Sequence, residues 1–440
     1  MTGTVERYAR HIDPAFTKLL GVLGYGRVYA RAEDVYVWDE QGRRYLDLLA
    51  GFGSVNIGHN HPRLVARLQE FLGTRALNLS HTGPSAHAAA LAEQLARAAG
   101  GPLDISLFST SGAEAVEAAM KLARAATGRQ RVVACDNGYH GLSFGTLSLS
   151  SSARMRAPFE PLLERCTIVP FGNAGALERE LSAGDVAAFI VEPVQIEGGV
   201  RFAPDGYLQA VRSLCARHGT LLVLDEVQTG FGRLGSLFAF HQESIVPDVL
   251  VLGKAAGGAM AAMAITMTTA AIQRRAYGSM RRFDLHGSTF AGNAFACAAA
   301  LETLQIIEDE RLCANCRERG DELLAGLRQR LNGHPFVRDI RGRGLLIAIE
   351  LQAGVEKLAE VLAGQWLSVV LLERGVIVQP ASQAWNVLRI EPPLTLTREH
   401  VRESIAAIGA AFDEHRSMIP LLARATWRIG AQLVSGGAFR

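Results

Sequence analysis

Lysine is scarce in this chain: only four of its 45 basic residues are lysines, and arginine supplies the rest. Cysteine is also sparse, with six in 440 residues, and the irregular spacing excludes a disulfide framework and points to a reducing, cytoplasmic setting. Cys313 and Cys316 form a lone CxxC without a second pair or a histidine cluster, so they read as packing on a helix face and no metal is expected. No charge of one sign dominates. The formal net charge is +2, and without a basic stripe no nucleic-acid partner is expected. A membrane span needs about 20 largely apolar residues. The nearest approach, Val249 to Ile272, holds Lys254 and several glycines and reads as buried strand, turn and strand, so no membrane partner is expected either. The first 30 residues carry Glu6, Asp13 and arginines but no apolar core, unlike a secretory signal.

What the chain has is length for a large core and for two or three domains. Apolar runs at Ile105 (ISLF), Val132 (RVVAC), Phe189 (AAFIVE), Val223 (LLVLD), Leu250 (DVLVL) and Ile265 (MAITM) alternate with helical patterns such as Ala113 to Ala126 and Gly206 to Arg217. This alternation predicts an α/β fold with a mostly parallel sheet covered by helices on both faces, and ligands then bind at the carboxyl ends of the strands. The stretch VYVWDEQGRRYLDL reads as a hairpin around Glu40-Gln41-Gly42. From about Asp309 a helical pattern reaches Leu331, followed by strands LLIAIEL and VIVQP and a helix near Arg398 to His415. The expected division is an N-terminal segment 1–75, a large domain 76–312 and a small C-terminal α+β domain 313–440. The tail 416–440 mixes apolar residues with arginines and reads as a packed or frayed terminus.

Lys254 sits in the apolar, small-residue run DVLVLGKAAGGAMAAMA. An arginine could serve there as a cation, but only a lysine amine can form a Schiff base with a carbonyl. Burial among Leu252, Ala255 and Ala256 lowers its pKa from about 10.4 and favours the neutral nucleophile; a lysine snorkelling from a strand end is the alternative. Asp225 closes LLVLD, and a carboxylate after four apolar residues is costly unless it faces a cation or caps the next turn. Ser111 and Glu114 have capping-box spacing at the start of a helix, which suits either a plain cap or a bound phosphate. Tyr139, between glycines in NGYHG, could stack on a planar ring or simply stand in a turn.

Together SGAEAVEAAMKLAR, YHG, VEPVQIEGG, LDEVQTGFGR, GKAAGG, HGSTFAGNAFACAAA and RIEPPLTLT, in order along the chain, resemble the motif series of class III aminotransferases. This family of pyridoxal-phosphate enzymes includes ornithine, acetylornithine and putrescine aminotransferases. LGYGR, VPFGN and RIEPPLTLT are most similar to the putrescine branch. The resemblance implies a fold-type-I enzyme in which Lys254 holds pyridoxal 5'-phosphate and shuttles the proton, while Asp225 pairs with the ring nitrogen. It implies Gln228 at the ring hydroxyl, Val227 and Tyr139 on the ring faces, and His140 beside the cofactor. Ser111, Gly112 and Ala113 would hold the phosphate, and Ser288 and Thr289 would reach the phosphate of a neighbouring subunit. A homodimer with shared sites, or a higher oligomer, follows from that. Glu192 would lie on the Lys254 side of the ring. Arg389 would grip a substrate carboxylate with its planar fork, Glu197 would cover Arg389 when no carboxylate is present, and Tyr25 and Leu142 would line the substrate side.

Leu142 stands where relatives that bind a distal carboxylate have arginine, which argues against γ-aminobutyrate-like donors. Ile196 replaces the usual small residue beside Glu197, and GGAMAAMA departs from the usual GGGxP-type continuation. The reading is transamination between a terminal amine, putrescine-like, and a keto acid such as 2-oxoglutarate, in either direction. A decarboxylase or epimerase of the same fold is the rival within catalysis. A non-catalytic cofactor-binding regulator is the rival outside it.

Overall fold

In the computed structural model, which describes residues 3–23, 25–352 and 357–415, all six apolar runs join one seven-stranded sheet. Its order is Ile105–Ser109, Ala264–Thr268, Val249–Leu252, Leu221–Asp225, Val186–Val191, Arg131–Cys135, Cys166–Val169. Every neighbouring pair is parallel except the two made by Ala264–Thr268, which runs antiparallel to both of its neighbours. The central strands are buried along their whole length, as expected for strands covered on both faces. Helix Gly112–Thr127 supplies Val116, Ala119 and Ala123 to one face, and Tyr207–His218 supplies Leu208 and Val211 to the other. The parallel strands therefore end along one edge of the sheet, and the segments that follow them, at Ser111, Tyr139, Glu192, Asp225 and Lys254, meet there.

The expected hairpin is present as Tyr36–Asp39 paired with Arg44–Asp47. Tyr29–Glu33 adds on one side and the distant Val376–Ile377 on the other. A second antiparallel sheet, of Val337–Arg343, Leu346–Leu351, Ala384–Ile390 and Gln379–Ala381, carries Arg389 in register with Ala348 and Gln379. The run VIVQP is thus not one strand: its first half completes the N-terminal sheet and its second half joins the C-terminal one. The helical pattern from about Asp309 to Leu331 is the helix Leu312–Arg330, separated from the preceding helix Ala294–Asp309 by Arg311 in the left-handed region (φ 51°). The tail expected at 416–440 lies outside the described residues.

Candidate active site

Asp225 ends the Leu221–Asp225 strand nearly buried, at 5% exposure. One carboxylate oxygen accepts from the Val227 backbone N–H at 3.1 Å, and the other lies 2.7 Å from His140 Nδ1. It therefore both caps the turn and pairs with a buried imidazole. The His140 pKa is raised: burial pushes it down, but Asp225 outweighs that. A buried pair of this kind is costly to break, about 3–5 kcal/mol when one partner is removed, so the carboxylate is held firmly in place. His140 supports Asp225 from behind.

Lys254 follows the Val249–Leu252 strand after Gly253, with φ 47° in the left-handed region that a lysine rarely occupies. Strain of this kind persists where the surroundings over-determine it, as at functional sites. Burial lowers its pKa, against the opposing pull of Glu391 and Glu197. Its amine is thereby poised as a base and nucleophile rather than as a simple counter-ion.

Ser111 caps helix Gly112–Thr127, its Oγ accepting from Glu114 N at 3.2 Å, while the Glu114 carboxylate accepts from Thr110 N and Oγ1 at 2.7 and 2.6 Å. This helix start, with its free N–H groups, suits an anion. A Cβ on Gly112 would come 2.9 Å from Val227 Cγ1, so glycine is what lets the helix start approach the turn after Asp225. Half-buried Tyr139 donates its N–H to Glu192 at 2.9 Å. Burial pushes the Glu192 carboxyl up to about 8. An amine, a buried carboxylate and a helix N-terminus thus follow strands that end at the same edge of the sheet.

Arg389 is 1% exposed and pairs through Nη1 with Glu197, whose other oxygen accepts from Ser382 N at 3.0 Å. Burial pushes the Glu197 carboxyl up, but Arg389, Lys254 and Ser382 outweigh it and hold it down at about 2. The Arg389 guanidinium lies 4.7 Å from the centroid of the Phe52 ring, a cation–π contact. Glu391, with an oxygen 3.5 Å from Arg389 Nε, accepts from Gln228 Nε2 at 2.8 Å. Phe52 and Glu391 were not singled out from sequence. The φ of 59° at Phe52 leaves no sequence signal, whereas a glutamate within the apolar RIEPPL run was visible.

Ser288, Thr289 and Leu142 are exposed. Tyr25 packs with Val37 and Tyr45 of the N-terminal sheet and with Leu372 of helix Lys357–Glu373, where burial raises its hydroxyl pKa. Ile196 is fully buried with Val194, Val200 and Leu346, which makes it a core residue rather than a pocket wall. Cys316 accepts from Leu345 N at 3.1 Å and donates to the Arg233 carbonyl at 3.2 Å, a packing role. Among the described residues no helix is long and apolar enough to cross a membrane.

A family model described as aminotransferase class-III matches residues 23–412. Aminotransferase PigE of Serratia sp. (strain ATCC 39006) is 33% identical over 93% of this chain and 53% of its own length. The chain thus spans about half the length of that curated relative. Among solved structures, the ornithine aminotransferase from Toxoplasma gondii superposes with a TM-score of 0.81 at 31% identity, covering 94% of this chain and 100% of that one. An (S)-enantioselective omega-transaminase from Thermomicrobium roseum superposes at 0.82 with 32% identity, covering 88% and 92%.

Proposed function

The chain belongs to the class-III aminotransferases, and on that premise we propose that it moves an amino group from a terminal amine to a keto acid, using the pyridoxal 5'-phosphate of that family. The proposed donor is putrescine-like or an amino acid, and the proposed acceptor is 2-oxoglutarate. The reverse reaction, amination of an aldehyde or ketone, uses the same residues. The observation that carries this reading is the closed pair of Arg389 and Glu197 in a site that also contains Lys254. Relatives named ornithine aminotransferase and omega-transaminase support it.

Lys254 would hold the cofactor through its amine, Asp225 would face the ring nitrogen, Val227 and Tyr139 the ring faces and Gln228 the ring hydroxyl. Ser111, Gly112 and Ala113 would hold the phosphate, joined by Ser288 and Thr289 from the partner subunit of a proposed homodimer. When bound, the cofactor supplies a carbonyl for the substrate amine and a ring that withdraws electrons from the adjacent carbon. Asp225, paired with His140, would keep the ring nitrogen protonated. The Lys254 amine, whose pKa burial lowers, would serve as the base that takes a proton from the substrate carbon bearing nitrogen and returns it one position away. Glu197 covers Arg389 while an uncharged chain end is bound and leaves it when a carboxylate arrives.

A donor-by-acceptor assay tests this reading. Formation of glutamate from 2-oxoglutarate with a terminal amine is expected. Release of CO2, or racemisation without amino transfer, would support the decarboxylase or epimerase reading instead. Glu197→Ala should change the ratio of kcat/KM between amine and amino-acid donors by about tenfold or more while leaving cofactor affinity near wild type. Equal losses for both donor classes would contradict a gate.

A further inference from the structure

Arg389 faces a second carboxylate that the gate does not include. Glu391 lies two residues beyond Arg389, at the end of the Ala384–Ile390 strand, so both side chains fall on one face. Glu391 is 0% exposed. Its Oε2 accepts from Gln228 Nε2 at 2.8 Å, whereas Oε1 has no hydrogen-bond partner and lies 3.5 Å from Arg389 Nε, itself unsatisfied. A buried carboxylate oxygen left without a donor is expensive. Retaining one here needs a reason beyond packing.

The anchoring of the two carboxylates differs. Glu197 follows the short Val194–Gln195 strand and is held by Ser382 N and by Arg389 itself. Both main chains are tied, Glu391 N–H donating to the Leu48 carbonyl at 2.8 Å and the Glu197 carbonyl accepting from Gln383 N at 3.0 Å, but the Glu391 carboxylate is held by the Gln228 side chain, and Pro392 and Pro393 follow Glu391 in the chain. Gly53 (φ 74°) lies against it, and a Cβ there would come 3.0 Å from Oε2. Glycine at position 53 thus leaves room for this buried carboxylate. When Glu197 swings off, Glu391 stays, and the guanidinium offered to a substrate carboxylate is still partly neutralised.

We propose that Glu391 is a specificity-determining residue, a fixed counter-charge on Arg389 that weakens carboxylate binding and biases the pocket toward uncharged or cationic amine chains. The idea rests on the reading of Arg389 as the carboxylate site. It also explains how one pocket releases a keto-acid product readily. A fully exposed guanidinium in a low-dielectric site would hold a carboxylate far more tightly.

The test is calorimetric binding of glutarate, a non-reacting dicarboxylate, to the cofactor-loaded enzyme. Glu391→Gln keeps the shape and an oxygen for Gln228, and it should bind glutarate about tenfold more tightly than wild type. The visible cofactor band should be unchanged, and KM for the keto acid should fall while KM for a terminal amine rises. A merely structural role would worsen both substrates together. Unchanged or weaker glutarate binding in Glu391→Gln, with Glu197→Gln binding more tightly than wild type, overturns the proposal and leaves the gate standing. If Glu391→Gln does not retain cofactor, Glu391→Asp, which withdraws the charge, should tighten glutarate binding, and no gain there overturns the proposal equally. Absence of binding in wild type and every variant overturns this inference together with the reading of Arg389.

Discussion

Glu197 makes the residue-scale account testable by pH. Its folded pKa of about 2 lies below the ordinary 4.5, so the unfolded chain binds the extra proton between these values. The stabilisation is present above 4.5 and is lost as pH falls toward 2. In apoprotein unfolding measured across that window, Glu197→Gln should flatten the pH slope of stability by up to about one proton. An identical slope would mean that the pair with Arg389 does not persist in solution. Asp225→Asn should leave the fold intact but lower kcat by about 100-fold or more, because the ring nitrogen loses its anion. Steady-state kinetics on cofactor-saturated enzyme checks this. Lys254 and Asp225 were legible because each is chemically out of place in an apolar run. Glu391 was equally out of place but sat inside a motif read for its arginine, and Phe52 depends on backbone geometry that no local pattern announces.

At the scale of elements, the phosphate side rests on the first turn of helix Gly112–Thr127. Ser111→Ala removes the cap to Glu114 N and should destabilise the protein by about 1 kcal/mol, with a larger proportional loss in cofactor affinity, measurable by thermal unfolding with and without pyridoxal phosphate. Equal destabilisation in both conditions would reduce Ser111 to a plain cap. The buried strands were legible because a sheet covered on both faces selects uninterrupted runs of Val, Leu and Ile. Cys166–Val169 was missed as a short, half-buried edge strand. Ala384–Ile390, which carries Arg389, was missed because tryptophan, asparagine and arginine interrupt its apolar positions. VIVQP was read as one strand because the handover between two sheets at Val378 is a tertiary event.

For the whole molecule, the α/β class with a large sheet and a fold-type-I relationship was readable from sequence, since motif order encodes the ligand edge of the sheet. Contacts cross both boundaries of the proposed division into residues 1–75, 76–312 and 313–440: Val376–Ile377 pairs with Arg44–Asp47, Asn56 Nδ2 donates to the Phe231 carbonyl at 2.8 Å, and Arg233 Nη1 donates to the Leu345 carbonyl at 3.0 Å. Assembly was less legible from sequence. Met280, Phe283 and Phe290 are 86%, 63% and 57% exposed, in the same segment as Ser288 and Thr289, and are the side chains that the proposed homodimer would cover. On the proposed homodimer, Phe283→Asp should shift the sedimentation profile toward monomer and lower activity with it, because Thr289 is withdrawn from the partner's site. A monomeric variant with full activity would rule out shared sites.

The central claim is that Lys254 is the residue that carries the cofactor. Borohydride reduction of the loaded enzyme followed by peptide mass mapping should find the reduced pyridoxyl group on Lys254 alone, and Lys254→Ala should lose both the label and the visible band. A label on Lys18, Lys121 or Lys357, or an unchanged band and activity in Lys254→Ala, would contradict the account.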